Sequence, residues 1–325
     1  MSNVFLYFLG AGASSQVLPL ASGFAERLMA FANDLQNAGP TGGVYDEPNA
    51  SPSDPVWGTN RDNFFHAIKW LASESSHHFS VDTFAKKLFF RGDNENLKKL
   101  KAALSAYLVI EQSRLHVDQR YDAFLASVLK LDSSRRIKLP EHLHIFTWNY
   151  DTQLEKAFYG FCENHDSVIE NVTFNNRIYR INGKCATHPP GHVGDSFRAI
   201  MTMKNMPAWE AGINLYKEYM TEPSSPEPEI NFAWEDLTHT KLSNAGLSQL
   251  SDVTDIVVIG YSFPYFNREI DDLIFKQFGQ IKRIYLQYPE GVHASIEDRL
   301  KNLLPLHEEI IRVDSTDLFC IPDDF

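Results

Sequence analysis

Apolar residues open the chain as an unbroken run, Val4-Phe5-Leu6-Tyr7-Phe8-Leu9, which stops at Gly10-Ala11-Gly12-Ala13-Ser14. A short continuous apolar run bounded by glycine predicts a strand buried on both faces, as in a parallel sheet. Beyond the turn, Phe24, Leu28, Phe31 and Leu35 recur at the spacing of one helix face, with Ser22 placed to cap it. Gly39-Pro40-Thr41-Gly42-Gly43, followed by Pro48, Pro52 and Pro55, predicts a long loop. From about Arg61 to Lys130 the pattern is helical, carried by Phe64, Ile68 and Leu71, then Phe84 and Leu88, then Leu97, Leu100, Leu104 and Leu108, then Tyr121, Phe124 and Val128.

Strand-like runs resume at His142–Thr147, Arg177–Ile181, Asp255–Gly260, Arg283–Gln287 and Glu309–Val313. Helical segments fall between several of them, at Thr152–Phe161, Asn267–Phe278 and Ala294–Leu303. This alternation predicts an α/β fold: a Rossmann-like, doubly wound, mostly parallel sheet with a large helical insertion. Residues 1–38 and 140–325 make the sheet domain in this reading, and residues 39–139 make the insertion. The proline-rich, acidic stretch Thr221–Ile230 reads as a surface excursion that returns to the core near Asp255.

Composition narrows the function. The 325 residues are 43% hydrophobic and 13% aromatic, globular values that support a sizeable core. A net charge of −12 with no dense Lys/Arg stripe argues against direct nucleic-acid binding. No apolar stretch approaches the ~20 residues needed to span a bilayer, and the first strand begins too early to leave room for a signal peptide. Cys162, Cys185 and Cys320 are widely spaced and form no C-x-x-C pair, so they suit neither a four-cysteine zinc site nor a disulfide framework. A reduced, cytoplasmic protein without zinc or another metal is the simplest reading, each cysteine acting as a small buried hydrophobe.

Three strand ends carry candidate chemistry. Gly10–Ser14 follows the first strand, where glycines let a backbone turn approach a dinucleotide pyrophosphate. The third glycine of the dehydrogenase fingerprint is absent, Ser15 following Ser14, and no acid-ended second strand lies within residues 31–60. Thr147-Trp148-Asn149-Tyr150-Asp151 ends a second strand, putting Asn149 and Asp151 at the crevice of an open α/β sheet; an Asx turn capping the next helix is the alternative for Asp151. Gly260-Tyr261-Ser262 ends a third, and the aromatic stretch Phe263-Pro264-Tyr265-Phe266 beyond it suits either stacking on a base or a packed turn. His142 and His144 alternate along a strand, but a pair without a third ligand is more often core or surface than metal site.

Taken together, these segments resemble the bacterial sirtuin-like (SIR2-like) NAD-processing domains that recur in antiphage defence systems. The resemblance rests on Phe8–Ser14 with Leu18-Pro19, on Thr147–Asp151 and on Gly260–Ser262; residues 61–130 and 186–250 contribute nothing to it. It implies that Gly10, Ala11, Gly12, Ala13 and Ser14 wrap the pyrophosphate and neighbouring ribose of NAD. Asn149 would orient the nicotinamide ribose or the attacking water, Asp151 would fix the nicotinamide end, and Thr147, Gly260, Tyr261 and Ser262 would contact the rest of the nucleotide.

One position departs from the family. A histidine usually precedes a glycine on the strand after the Asn-x-Asp motif, and here Asn182 precedes Gly183. An amide cannot take a proton from a ribose hydroxyl near neutral pH, but Asn182 could still hydrogen-bond the ribose in the histidine's catalytic place. His188 and His192, in a nearby loop, are alternative bases, or simply exposed loop residues. The resemblance therefore implies NAD+ glycohydrolase activity that depletes NAD in defence, with a non-catalytic NAD or ADP-ribose sensor or scaffold as the alternative. Expected partners are further copies of the chain or an ATPase or nuclease chain.

Overall fold

A computed structural model describes residues 3–38, 55–133, 135–162, 177–186, 200, 209–221, 227–235, 250–304 and 307–325. Six strands form one parallel sheet: β1 (Phe5–Leu9), β2 (Leu143–Thr147), β3 (Ile178–Arg180), β4 (Asp255–Ile259), β5 (Ile281–Gln287) and β6 (His307–Val313). Their spatial order is β3-β2-β1-β4-β5-β6, the order of a doubly wound dinucleotide-binding sheet. The α/β expectation holds, each strand lying within a few residues of its predicted run. The crossover direction reverses between β1 and β4, so ligands are expected beyond the carboxyl ends of those two strands.

β1 is buried along its whole length, and its side chains alternate between two cores. Phe5, Tyr7 and Leu9 join one cluster with residues of the helical stretch, whereas Leu6 and Phe8 join a second on the opposite face of the sheet. The helical stretch comprises α2 (Pro55–His77), α3 (Val81–Phe90), α4 (Asn94–Arg114) and α5 (Gln119–Val128), following α1 (Phe24–Gln36). Ser80, Asp93 and Asp118 cap the last three of these, accepting from Thr83, Asn96 and Arg120 N–H respectively. Ser22 does not cap α1: it sits in a 3-10 turn, and Gly23 occupies the cap without a side-chain bond.

α6 (Gln153–Tyr159), α7 (Trp209–Thr221), α8 (Arg268–Phe275) and α9 (His293–Leu300) complete the described helices. α7 was not expected from the pattern; it buries Trp209, Ile213, Tyr216 and Tyr219 in the same core as β1. The Thr221–Ile230 excursion also ends sooner than expected. Ile230, Phe232, Ala233 and Trp234 are already buried, well before Asp255, and Glu235 pairs with Lys101 of α4 at 2.6 Å. The long loop predicted before Pro55 lies outside the described residues. Among the described residues no helix is long and apolar enough to cross a membrane.

The C-terminal tail closes one face of the sheet. Cys320 O accepts a 2.8 Å hydrogen bond from Tyr7 OH, and Gln287 Nε2 donates to Ser315 O at 2.7 Å. Phe319 stacks edge-on against Tyr121, their ring centroids 4.9 Å apart. Cys185 is buried as expected, while Cys162 and Cys320 are half-buried.

Candidate active site

Register brings the three motifs to one level. Leu9 of β1 is the partner of both Thr147 in β2 and Ile259 in β4, and Thr147 is the partner of Arg180 in β3. The residues that follow each strand therefore emerge at the same edge of the sheet. They surround a pocket of about 220 Å³ to which Ala11, Ser14, Asn149, Asp151, Asn182, Gly260, Tyr261 and Ser262 all contribute. Helices supply the opposite wall: Ser75, Phe79, Ser80, Val81 and Asp82 from the α2–α3 corner, and Leu104 and Leu108 from α4.

Gly10, Gly12, Ala13 and Thr147 stand behind this lining rather than in it. The glycines serve a contact between two turns. Gly10 N–H donates to Ile259 O at 3.0 Å, and Gly12 N–H donates to Gly260 O at 3.1 Å. A Cβ at Gly12 would lie 2.6 Å from Gly260 Cα, and one at Gly10 would lie 2.5 Å from Tyr261 Cα. Both amides thus point at the neighbouring turn, not at a phosphate as the resemblance implies. Gly260 itself has φ +62°, a left-handed conformation that favours glycine, and Phe263 is held at φ 46° by packing against Phe8. Thr147 Oγ1 accepts from Asn149 N–H at 3.1 Å, a local turn bond that sets the Asn149 backbone.

Ser14 is the hub of the sheet-side wall. Asn149 Nδ2 donates to its Oγ at 3.3 Å, and its hydroxyl also pairs with Tyr121 OH at 3.2 Å. Asp151 Oδ1 accepts from Gln153 N–H at 3.0 Å, an Asx turn leading into α6, but Thr152 holds the N-cap position without a side-chain bond, and Asp151 still lines the pocket. Burial pushes the Asp151 carboxyl above the usual range, and hydrogen bonds from Gln153 N–H and Ser14 pull it back down. Behind the turn, Arg120 Nη2 pairs with Asp118 at 2.6 Å and donates to Ala13 O at 3.1 Å, tying α5 to the glycine turn.

Asn182 lines the pocket, but both ends of its amide are committed. Nδ2 donates to Trp148 O at 3.1 Å, and Oδ1 accepts from Ala233 N–H at 3.0 Å. Its main work is to clamp residues 148, 182 and 233 together, which differs from the expected role as a stand-in for a histidine. His188 and His192 lie outside the described residues. His144 is buried against Tyr179, away from the pocket, and burial followed by the Arg177 charge lowers its pKa to about 4.

Trp148, Tyr150 and Asp82 line the pocket although the sequence assigned them no role, whereas Tyr261 was an expected nucleotide contact. Trp148 and Tyr261 stack at 5.0 Å with ring planes 6° apart, and the Tyr261 hydroxyl is tied to Asp271 at 3.0 Å. Asp82 accepts a hydrogen bond from Tyr150 OH. The tryptophan and both tyrosines were visible within the strand-end motifs, but Asp82 belongs to a helix with no sequence mark linking it to a strand end. Pro264 and Phe266 sit in the lining, while Tyr265 faces out. No family model, curated protein or solved structure matches the chain.

Proposed function

We propose that the chain is an NAD+ glycohydrolase that cleaves the nicotinamide–ribose bond in this pocket. The observation that carries the reading is the bonded set Ser14, Asn149 and Asp151, drawn from two strand ends onto one pocket wall at the switch point of the sheet. Cleavage passes through an oxocarbenium-like state, which needs orientation and charge placement more than a strong nucleophile. The bond from C1′ to the pyridinium nitrogen breaks, and its electron pair leaves with nicotinamide. Water oxygen then bonds to C1′ and releases a proton. Asn149, oriented by Ser14, holds the ribose hydroxyl or the water. Asp151 is the proton acceptor, since a carboxyl raised by burial is a better base than an ordinary one.

The antiphage role and the ATPase or nuclease partner rest on the sequence resemblance alone. Nicotinamide release from NAD by the purified chain, alone and with its genetic neighbours, tests activity and partner together. Asn149→Ala should reduce release at least a hundredfold, the order for losing a positioning group, with the circular dichroism spectrum unchanged. Full turnover in that variant refutes the assigned role. A second reading, an NAD or ADP-ribose sensor, is favoured by the committed Asn182 amide. Tight ADP-ribose binding without nicotinamide release would select it.

A further inference from the structure

The pocket is walled on its helical side by a carboxylate that the strand-end motifs do not contain. Asp82 lies in the first turn of α3, whose cap Ser80 accepts from Thr83 N–H at 3.2 Å. Burial pushes the Asp82 carboxyl above its usual range, while the hydrogen bond from Tyr150 and the partial positive charge of the helix N-terminus favour the carboxylate. Tyr150 OH donates to Asp82 Oδ1, and Tyr150 is the residue between Asn149 and Asp151. Burial and the neighbouring Asp82 raise the tyrosine's pKa well above the ordinary phenol range, so it stays protonated and its O–H donates to the carboxylate. The same bond ties the helical wall to the sheet wall and fixes the direction of the carboxylate. The stacked Trp148–Tyr261 pair and the apolar Val81 and Leu108 complete a surface that accepts a flat ring.

We propose that Asp82, oriented by Tyr150, contacts the ligand and selects a positively charged heterocycle. This rests on the NAD reading and deepens it. The recognised group is the pyridinium ring, so the pocket distinguishes oxidised from reduced or neutral nicotinamide derivatives by charge. The aromatic pair supplies a face for the ring, and the carboxylate supplies the sign. Asp151 faces the same pocket from the sheet side, with both its backbone partner and Ser14 already in place. Asp82 faces the pocket from the helical side, outside the sheet's own turn bonds.

The test uses two probes that differ in charge at one nitrogen: 1-methylnicotinamide, a cation, and nicotinamide, which is neutral. Affinities of the full chain for each are measured by calorimetry. The wild-type protein should prefer the cation about tenfold, the order for one partly buried charge pair. Asp82→Asn should bring that ratio close to one while leaving nicotinamide affinity in place. Tyr150→Phe, which keeps the ring and removes the donor, should reduce the ratio part of the way. Equal affinity for the two probes in the wild type, no binding of the cation, or an unchanged ratio in Asp82→Asn each overturns the inference. Nicotinamide release from NAD is followed in parallel. Release without charge preference removes the Asp82 role and leaves the hydrolase reading standing; charge preference without release does the reverse.

Discussion

Replacing Gly12 with alanine separates two roles for the glycine turn. If Gly12 is needed so that a phosphate can approach, the variant should fold normally and lose ligand. The structure argues instead that Gly12 is needed inside the protein, where a Cβ would meet Gly260 Cα at 2.6 Å and Gly260 O at 3.2 Å. The nearest obstacle is backbone, and its distance is roughly 1 Å inside ordinary contact, so no rotamer change relieves it. Overpacking of this kind costs about 1–3 kcal/mol, and a backbone obstacle belongs at the upper end. Unfolding entropy of about 2.1 cal/mol/K per residue over 325 residues converts 3 kcal/mol into a fall in Tm of about 4 °C. Calorimetry or thermal circular dichroism reads this directly. Gly58→Ala is the control: nothing lies within 4 Å of its Cβ position inside α2, so helix propensity should stabilise the protein by about 0.5–1 kcal/mol. A Gly12→Ala protein that melts with the wild type would refute the turn-on-turn argument.

His144 predicts an acid limb to stability. Its folded pKa of about 4 lies below the unfolded 6.5, so the native state binds fewer protons between those values and stability falls as pH drops from 6.5 towards 4. The full loss is about 3 kcal/mol; denaturant midpoints at pH 7 and pH 4.5 should converge in His144→Gln relative to wild type, and an unchanged slope would remove His144 as the cause. Asn182→Ala strands Trp148 O and Ala233 N–H, two buried backbone groups at about 1–3 kcal/mol each. Tm should fall by several degrees before any effect on turnover is considered; an unshifted Tm with lost activity would return Asn182 to a catalytic role.

The sheet and its ligand edge were legible because both are written in local runs. Each strand is a short apolar segment ending in small or polar residues, and identical register then aligns those ends without further information. The purpose of Gly10 and Gly12 was not legible, since a glycine that admits a phosphate and one that admits another turn look alike in sequence. Asn182 posed the same difficulty: its amide bonds run to Trp148 and Ala233, residues far from it in the chain. Asp82 was hidden for a different reason. A lone acid in the first turn of an amphipathic helix has a complete local explanation as a dipole partner, and only the docking of α3 over the strand ends gives it a second use. α7 carries a readable apolar spacing at Trp209, Ile213 and Tyr216, but it leads into a stretch whose polarity suggested a surface excursion.

The tail and the central strand also constrain the order in which the protein can be made. β1 precedes the other five strands in sequence, yet Val4 hydrogen-bonds Thr254 across 250 residues of chain, and Tyr7 bonds Cys320 across 313. β1 can pair along one edge once β2 is made, but its other edge stays unpaired until β4 follows, and its face stays uncovered until the tail is in place. Contacts of such sequence separation fold slowly, and a waiting apolar strand is prone to mispairing. Because the pocket is bounded by the ends of β1, β2 and β4 together, a chain that stops short of β4 holds no site.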